Sequence, residues 1–137
     1  KSVSGSASGG CVQLIFRHEL VYVTATLTFH GATIEIPNVL VDTGAASTVI
    51  NADLAADAGI YLAPSDHMRR LRGVGGHEHV FMRQVDRFAV GDHGLDGFEI
   101  EIGEMDYGFE FGGIIGMDFL RAARAIIDVG NLTIEFR

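Results

Sequence analysis

An alternation of apolar and hydroxyl-bearing residues constrains the fold of this 137-residue chain more than any other sequence feature. From Val21 to Phe29, apolar residues occupy every second position, and Tyr22 or a threonine stands between them. A two-residue period is typical of a β-strand with one buried face. His30-Gly31 then predicts a turn, and residues 32–36 predict the returning arm of a hairpin.

Two further hairpins are predicted downstream, each with a glycine in its turn. Residues 68–90 place Gly73-Val74-Gly75-Gly76 at the tip of one hairpin. Ala125–Asp128 and Leu132–Phe136 are the predicted arms of the other, which turns at Gly130-Asn131. With 18 glycines and only 2 prolines in the chain, these patterns predict an all-β, turn-rich fold.

One or two short helices complete the expected fold. Asn51 is a suitable N-cap for a helix that follows it, and Gly59 suits the position just past the C-terminal end. A second helix is predicted after a buried Ile114-Ile115 strand and a turn at Gly116, with Asp118 as its N-cap.

Length and composition predict a single domain over residues 11–137, preceded by a flexible lead-in. Residues 1–10, KSVSGSASGG, are rich in serine and glycine, which is typical of a linker. The chain is 47% hydrophobic and 20% charged, so it has ordinary globular composition. Its formal net charge of −8 argues against nucleic acid as a partner, since phosphate binding needs a basic face.

The cellular compartment does not follow from the sequence. The single cysteine, Cys11, excludes an intrachain disulfide but is compatible with any compartment. No stretch approaches the roughly 18–20 apolar residues of a membrane span. Because the sequence starts at Lys1 rather than at a methionine, it leaves room for a membrane anchor upstream.

An aspartate between two apolar runs is the main candidate for chemistry. Asp42 directly follows Val39-Leu40-Val41, and the chain becomes apolar again at Val49. A carboxylate in such a place must be paired, shared or protonated, because desolvating its charge is costly. By itself, Asp42-Thr43-Gly44 is also compatible with a strand that simply ends in an Asx turn.

Three features in a fixed order carry a family resemblance. An apolar run ends in Asp42-Thr43-Gly44-Ala45, a glycine-tipped hairpin follows about thirty residues later, and Ile114-Ile115-Gly116 leads into a helix. This order resembles the retropepsin-like aspartic proteases, the single-lobe family that includes the retroviral proteases. The resemblance spans roughly Val12 to Phe136. It implies a closed-barrel-like acid-protease fold that is active as a two-fold dimer.

The resemblance also implies a mechanism. Asp42 would meet the same residue of a second chain, and the two carboxylates would share one proton, since they cannot both ionise cheaply at close range. The pair would activate a water to hydrolyse a peptide bond of a protein or peptide substrate, with no metal ion or other cofactor. A homodimer is therefore expected, with residues 132–136 helping to form its interface.

Roles for the surrounding residues follow from the same resemblance. Thr43 would brace the two Asp42 loops, and Gly44 would let the substrate backbone approach closely. The remaining candidates would contact substrate, either as pocket walls or as the tip of a mobile flap. They are Leu40, Ala45, Ala46, Gly73, Val74, Gly75, Gly76, Ile114 and Ile115.

The chain departs from the family pattern at two places. Many viral members carry an interface arginine after the late glycine, where this chain has Met117. Viral members also often have acidic residues soon after the catalytic motif, where this chain has Ala46-Ser47-Thr48. These differences keep a second hypothesis open, namely a retropepsin-like dimerisation or peptide-binding domain with little or no hydrolysis.

Competing interpretations of other motifs are less favoured. Asp128-Val129-Gly130 lacks the hydroxyl residue and has too little chain after it for a second lobe, so it is predicted to be a hairpin turn. The glycine-rich tip, residues 73–76, lacks the Lys-Ser/Thr of a phosphate loop. His77 and His79 would share a strand face and suggest half a metal site, with His67 or His93 added, but solvent-facing histidines are the preferred interpretation.

Overall fold

The computed structural model describes residues 10–67, 69–73, 76–105 and 111–137, and only the backbone of residues 69–73 and 76–78. Residues 1–9 of the expected lead-in therefore lie outside the described part of the chain, as do Val74 and Gly75 of the expected flap tip. No helix among the described residues is both long enough and apolar enough to cross a membrane.

Strands make up most of the described chain, together with two helices of six residues each. In chain order, the elements are β1 Val12–Gln13, β2 Ile15–Arg17, β3 Leu20–Phe29, β4 Ala32–Val41, β5 Val49–Asn51, α1 Ala52–Asp57, β6 Arg69–Gly73, β7 Gly76–Gln84, β8 Arg87–Val90, β9 His93–Asp96, β10 Glu99–Gly103, β11 Gly113–Ile115, α2 Met117–Ala122, β12 Ala125–Asp128 and β13 Thr133–Phe136.

Ten of the described strands form one sheet, and three form a second. The larger sheet runs β9-β8-β3-β4-β11-β5-β10-β7-β6, with β2 added beside β3, and the smaller runs β12-β13-β1. Most pairs are antiparallel, but β11 lies parallel to β4 and β10 lies parallel to β5. This arrangement confirms the predicted all-β fold with short helices.

The first hairpin forms where the alternation predicts it. In β3, Ala25, Leu27 and Phe29 are buried while the threonines between them are more exposed. The β3–β4 ladder shifts register between Val23 and Ala25, where β4 carries one extra residue. Tyr22 and Val23 precede this shift and are both buried. The turn residues His30 and Gly31 both have positive φ, as the tight turn predicted at this position requires.

One hydrophobic cluster joins both helices to the large sheet and to β13. Phe119 of α2 is fully buried at its centre, with its ring edge-on to Phe88 at 5.3 Å, Phe98 at 5.7 Å and Phe136 at 6.2 Å between centroids. These contacts anchor α2 beneath the sheet. Burial of Phe119 therefore fixes the helix that follows Gly116.

The predicted ends of α1 are confirmed, whereas the predicted N-cap of α2 is wrong. The Asn51 side chain accepts a hydrogen bond from the Asp53 N–H at 2.8 Å, and Gly59 has φ +87° just beyond the helix. The N-cap of α2 is Gly116, not Asp118, which lies in the first helical turn. The carboxylate of Asp118 is instead used by a distant residue, as described below.

The C-terminal hairpin is confirmed with a small change of boundary. Leu132 has φ +55°, so the second arm begins at Thr133 rather than Leu132. Asp128 ends the first arm, and both of its carboxylate oxygens accept hydrogen bonds from Asn131 at 2.8–2.9 Å. The backbone N–H of Asn131 and then its side-chain amide lower the pKa of Asp128. Asp128 therefore belongs to the predicted hairpin turn.

Candidate active site

The segment that carries Asp42 emerges from the centre of the large sheet. β11 is inserted between β4 and β5, which places Ile114 beside Leu40 and Ile115 beside Val41. The N–H of Asp42 donates to the carbonyl of Ile115 at 3.0 Å, so the aspartate leaves the sheet at a fixed point. Two strands distant in sequence, β4 and β11, thus position one carboxylate.

Residues 42–48, called the Asp42 loop, present that carboxylate at the surface of the subunit. Oδ1 of Asp42 accepts a hydrogen bond from the Gly44 N–H at 2.8 Å, and the Asp42 carbonyl accepts one from the Ala45 N–H at 3.2 Å. Asp42 is half-buried, while Thr43 and Gly44 are exposed. The Asx turn that the sequence allows is therefore present, and it orients the carboxylate.

Helix α2 holds the far side of the Asp42 loop through its first backbone amides. The N–H of Met117 donates to the Ala45 carbonyl at 2.8 Å, and that of Asp118 donates to the Ala46 carbonyl at 3.2 Å. Gly116 lies so close to this loop that a Cβ there would stand 2.6 Å from the Ser47 carbonyl oxygen. The late glycine of the motif is thus required by close packing of two backbones.

A buried side-chain clamp fastens the same loop to α2. Thr48 is fully buried, and its Oγ1 donates to Asp118 Oδ1 at 2.7 Å while accepting the Gly116 N–H at 3.2 Å. The Thr48 N–H donates to Asp118 Oδ2 at 3.1 Å. The sequence analysis missed this clamp because its partners are 70 residues apart. The only sequence signal for it was a hydroxyl residue, Thr48, directly before the apolar residues Val49 and Ile50.

We expect Thr48→Val to lower the free energy of unfolding by about 1–3 kcal/mol, because it leaves the Gly116 N–H and the Asp118 carboxylate short of a partner. Urea denaturation measures the change. Thr33→Val is the matched control, since Thr33 shares a hydrogen bond with Thr28 at 3.0 Å on the exposed face of the first hairpin. The control should lie within about 0.5 kcal/mol of wild type. Equal effects of the two substitutions would contradict a structural role for the clamp.

A second strand pair flanks the loop on the Leu40 side. Tyr22 of β3 lies opposite Leu40 and is fully buried, and the Arg17 guanidinium lies over its ring, 5.5 Å from the centroid. Arg17 also donates to the side chain of Asn38. The half-buried Leu40 thus has an aromatic residue as its cross-strand partner, and a cation lies over the ring of that residue. The sequence analysis anticipated neither contact.

The expected site residues divide into two groups. The structure brings Leu40, Asp42, Ala45, Ile114 and Ile115 together around the end of β4. Gly73 and Gly76 pair with each other across the β6–β7 hairpin, which confirms the hairpin arms. For both groups of residues, contact with a substrate remains a prediction.

The residues described here do not assemble a metal centre. In the described ranges, no group of three or more His, Cys, Asp or Glu side chains is placed to hold a metal ion. The side chain of His77 lies outside the description, His79 is exposed, and the ring of His93 stacks on Phe136 with 4.9 Å between centroids.

A cavity of about 500 Å³ lies near the loop but does not contain Asp42. Its lining includes Ser47, Met82, Phe98, Glu99 and Asp118. Asp42 is half-buried and is not among the lining residues of this cavity.

The fold and the Asp42 loop both belong to a known protein family. A family model described as aspartyl protease matches residues 25–119, which is more than half of the chain, so this protein belongs to the aspartyl protease family. The matched range includes the Asp42 loop, β11 and the start of α2.

The fold is similar to a solved structure, the crystal structure of a retropepsin-like aspartic protease from Rickettsia conorii. The TM-score is 0.64 at 19% sequence identity, and the alignment covers 91% of this chain and 98% of that one. At this identity the likeness shows the shared fold, which confirms the predicted retropepsin-like architecture. No curated protein sequence matches the chain.

Proposed function

We propose that this protein is an aspartic endopeptidase whose active site combines Asp42 from each of two identical subunits. The observation that carries the proposal is the position of the Asp42 carboxylate. It is half-buried at the end of the apolar strand β4, and one of its oxygens accepts a hydrogen bond from the Gly44 N–H. The described residues provide no further hydrogen bond to this carboxylate. Its second oxygen is therefore available to a water, a substrate or a second carboxylate.

The proposed reaction follows from two carboxylates that share a single proton. The ionised Asp42 accepts a proton from water, the resulting oxygen nucleophile attacks the peptide carbonyl carbon, and the protonated partner donates to the carbonyl oxygen. Proton transfer to the peptide nitrogen then lets the C–N bond break. No metal ion or other cofactor takes part in this scheme.

Neighbouring residues have supporting roles in the proposal. Thr43 braces the loop against its symmetry mate, and Gly44 keeps the approach to the carboxylate free of a Cβ. Leu40, Ile114 and the small side chains of Ala45 and Ala46 form the subsite walls, with Ile115 as the core beneath them. Residues 73–76 act as the flap that covers a bound peptide and excludes water.

Activity should show a bell-shaped dependence on pH, because the dyad must hold one proton. Hydrolysis is lost in strong acid when both carboxylates are protonated, and it is lost at alkaline pH when both are ionised. The test is cleavage of a peptide library, with kcat measured across pH on enzyme shown to remain folded.

Peptide binding without cleavage at any pH would favour the alternative of a binding or dimerisation domain. A flat kcat profile, with chemistry rate-limiting, would instead remove the shared-proton mechanism.

A further inference from the structure

We propose that the substrates of this protein are peptides with a basic residue, arginine in preference to lysine, near the bond that is cleaved. The cavity of about 500 Å³ beside the Asp42 loop binds that side chain. The inference rests on the proposed function, because it names the substrate class of the proposed active site. It gives two glutamates, Glu99 and Glu101, a role in selecting the substrate.

The cavity is within reach of a peptide that lies over Asp42. Ser47 lines the cavity and belongs to the Asp42 loop. Asp118 lines it too, and its carboxylate accepts hydrogen bonds from Thr48 of the same loop. Ser47 follows Asp42 by five positions, and a chain of that length spans at most about 18 Å. An extended peptide covers that distance in about five residues, so the basic residue lies within about five positions of the cleaved bond.

The cavity wall is strongly acidic. Four carboxylates line it, namely those of Asp96, Glu99, Glu101 and Asp118, and none of its described lining residues is a lysine, an arginine or a histidine. Carboxylates around one concave site attract cations and disfavour anions, because the low-dielectric wall focuses their field. The cavity therefore selects a positively charged group over a neutral or a negative one.

Glu101 places one of these charges away from bulk water. Strand β10 alternates, so Ile100 and Ile102 are buried in the core and Glu99 and Glu101 lie on the opposite face. Glu101 is nevertheless only 1% exposed, whereas Glu99 is exposed. A charge shielded from water interacts more strongly with an opposite charge than a charge at the surface does. Glu101 is therefore the stronger anchor for a cation that enters the cavity.

Two of the other carboxylates already serve the subunit. Asp96 forms an ion pair with Arg87 at 3.0 Å, and Asp118 holds Thr48 in the clamp. Glu99 forms no ion pair with any other described residue. The charge of Glu99 is therefore available to a ligand at the exposed side of the cavity.

The apolar part of the wall suits the stem of a long basic side chain. Met82, the cross-strand neighbour of Glu101, lines the cavity together with Phe98. Lysine and arginine lay their methylene stems on apolar surface while the charged head reaches a carboxylate. A planar guanidinium also stacks on aromatic rings and matches both oxygens of a carboxylate with two parallel hydrogen bonds. Arginine should therefore bind more tightly than lysine.

An organic cation fits this wall better than a metal ion does. In the described ranges, no three acidic, histidine or cysteine side chains are placed to bind one ion together. The acidic groups instead share the wall with apolar side chains. Such a mixture is typical of a site for an organic group, in which a few polar contacts orient an apolar body.

Cleavage of a positional peptide set tests the substrate class. Peptides of one cleavable sequence carry Arg, Lys, Gln or Glu in turn at each position on either side of the cleaved bond. At one position or more, kcat/KM for the Arg peptide should exceed that for the Gln peptide by roughly 10-fold, with Lys between them and Glu lowest. Equal kcat/KM for the Arg and Gln peptides at every position would overturn the inference.

Glu101→Gln tests whether the cavity is the origin of the preference. The substitution removes the charge and keeps the shape, so the ratio of kcat/KM for the Arg and Gln peptides should fall roughly 10-fold. A ratio is used because a partial loss of folded enzyme lowers both of its terms equally. Glu35→Gln is the matched control, since Glu35 is exposed on the first hairpin, and its ratio should stay within about 2-fold of wild type. An unchanged ratio in Glu101→Gln would remove the cavity from the explanation.

Glu99→Lys tests the sign of the interaction. A cation at the exposed side of the cavity should repel the Arg peptide and attract the Glu peptide, so kcat/KM for the Glu peptide should rise roughly 10-fold over its wild-type value. Retention of the full preference for arginine by this variant would contradict an electrostatic origin.

Binding and hydrolysis are measured separately, so the two proposals fail separately. Fluorescence anisotropy of labelled Arg and Gln peptides gives dissociation constants for wild type and for Glu101→Gln. Tighter binding of the Arg peptide, lost in Glu101→Gln, keeps the cavity as the site of a basic side chain even when no peptide is hydrolysed, which removes the proposed protease. Hydrolysis without discrimination between the Arg and Gln peptides keeps the protease and removes this inference.

Discussion

Asp42→Asn should abolish peptide hydrolysis while leaving the fold intact. The amide can neither accept the proton of the attacking water nor share a proton with its counterpart, so we expect kcat to fall by roughly 10³-fold or more. The amide oxygen can still accept the Gly44 N–H that Asp42 Oδ1 accepts at 2.8 Å. Initial rates on a cleaved library peptide, together with a urea unfolding curve, separate loss of chemistry from loss of structure.

Asp57→Asn is the matched control for this substitution. Asp57 is an exposed carboxylate at the end of α1, so the control makes the same chemical change outside the Asp42 loop. The control should retain wild-type kcat and KM. Comparable hydrolysis by Asp42→Asn and wild type, at matched concentration and pH, would refute the assignment of Asp42 as the catalytic residue.

Gly116→Ala should destabilise the subunit and impair hydrolysis at the same time. The new Cβ would stand 2.6–2.8 Å from the carbonyl oxygen, carbonyl carbon and nitrogen of Ser47, so one of the two backbones must move. Gly116 has φ −100°, which any residue adopts, and the cost is therefore steric rather than conformational. We expect the free energy of unfolding to fall by about 3 kcal/mol.

Activity should fall with stability because Gly116 and Met117 donate to the Asp42 loop, through Thr48 and Ala45 respectively. Urea denaturation and kcat are measured on the same preparations. Gly10→Ala is the control, since a Cβ at Gly10 meets nothing within 4 Å and should change stability by less than about 0.5 kcal/mol. Wild-type stability in Gly116→Ala would show that the loop and α2 are less closely packed than the structure indicates.

Local sequence patterns predicted the elements whose signals lie within a few residues. The alternation from Val21 to Phe29 predicted β3, because a strand with one buried face repeats every two residues. Asn51 and Gly59 predicted the limits of α1, because orphan backbone groups at helix ends need such residues. Bonds between distant residues gave no comparable signal, and Asp118 was misassigned as a helix cap because its acceptor oxygens serve Thr48 across the fold.

The sequence by itself determined a β-rich chain with three hairpins and an Asp-Thr-Gly turn at the end of an apolar strand. The tertiary structure decided where that turn stands. Insertion of β11 between β4 and β5 sets the Ile115 carbonyl against the Asp42 N–H, and the C-terminal strand β13 lies between β12 and β1 in the smaller sheet. The apolar period of a strand and the caps of a helix are set by residues close together in the chain. The order of strands in a sheet depends instead on which distant surfaces bury each other.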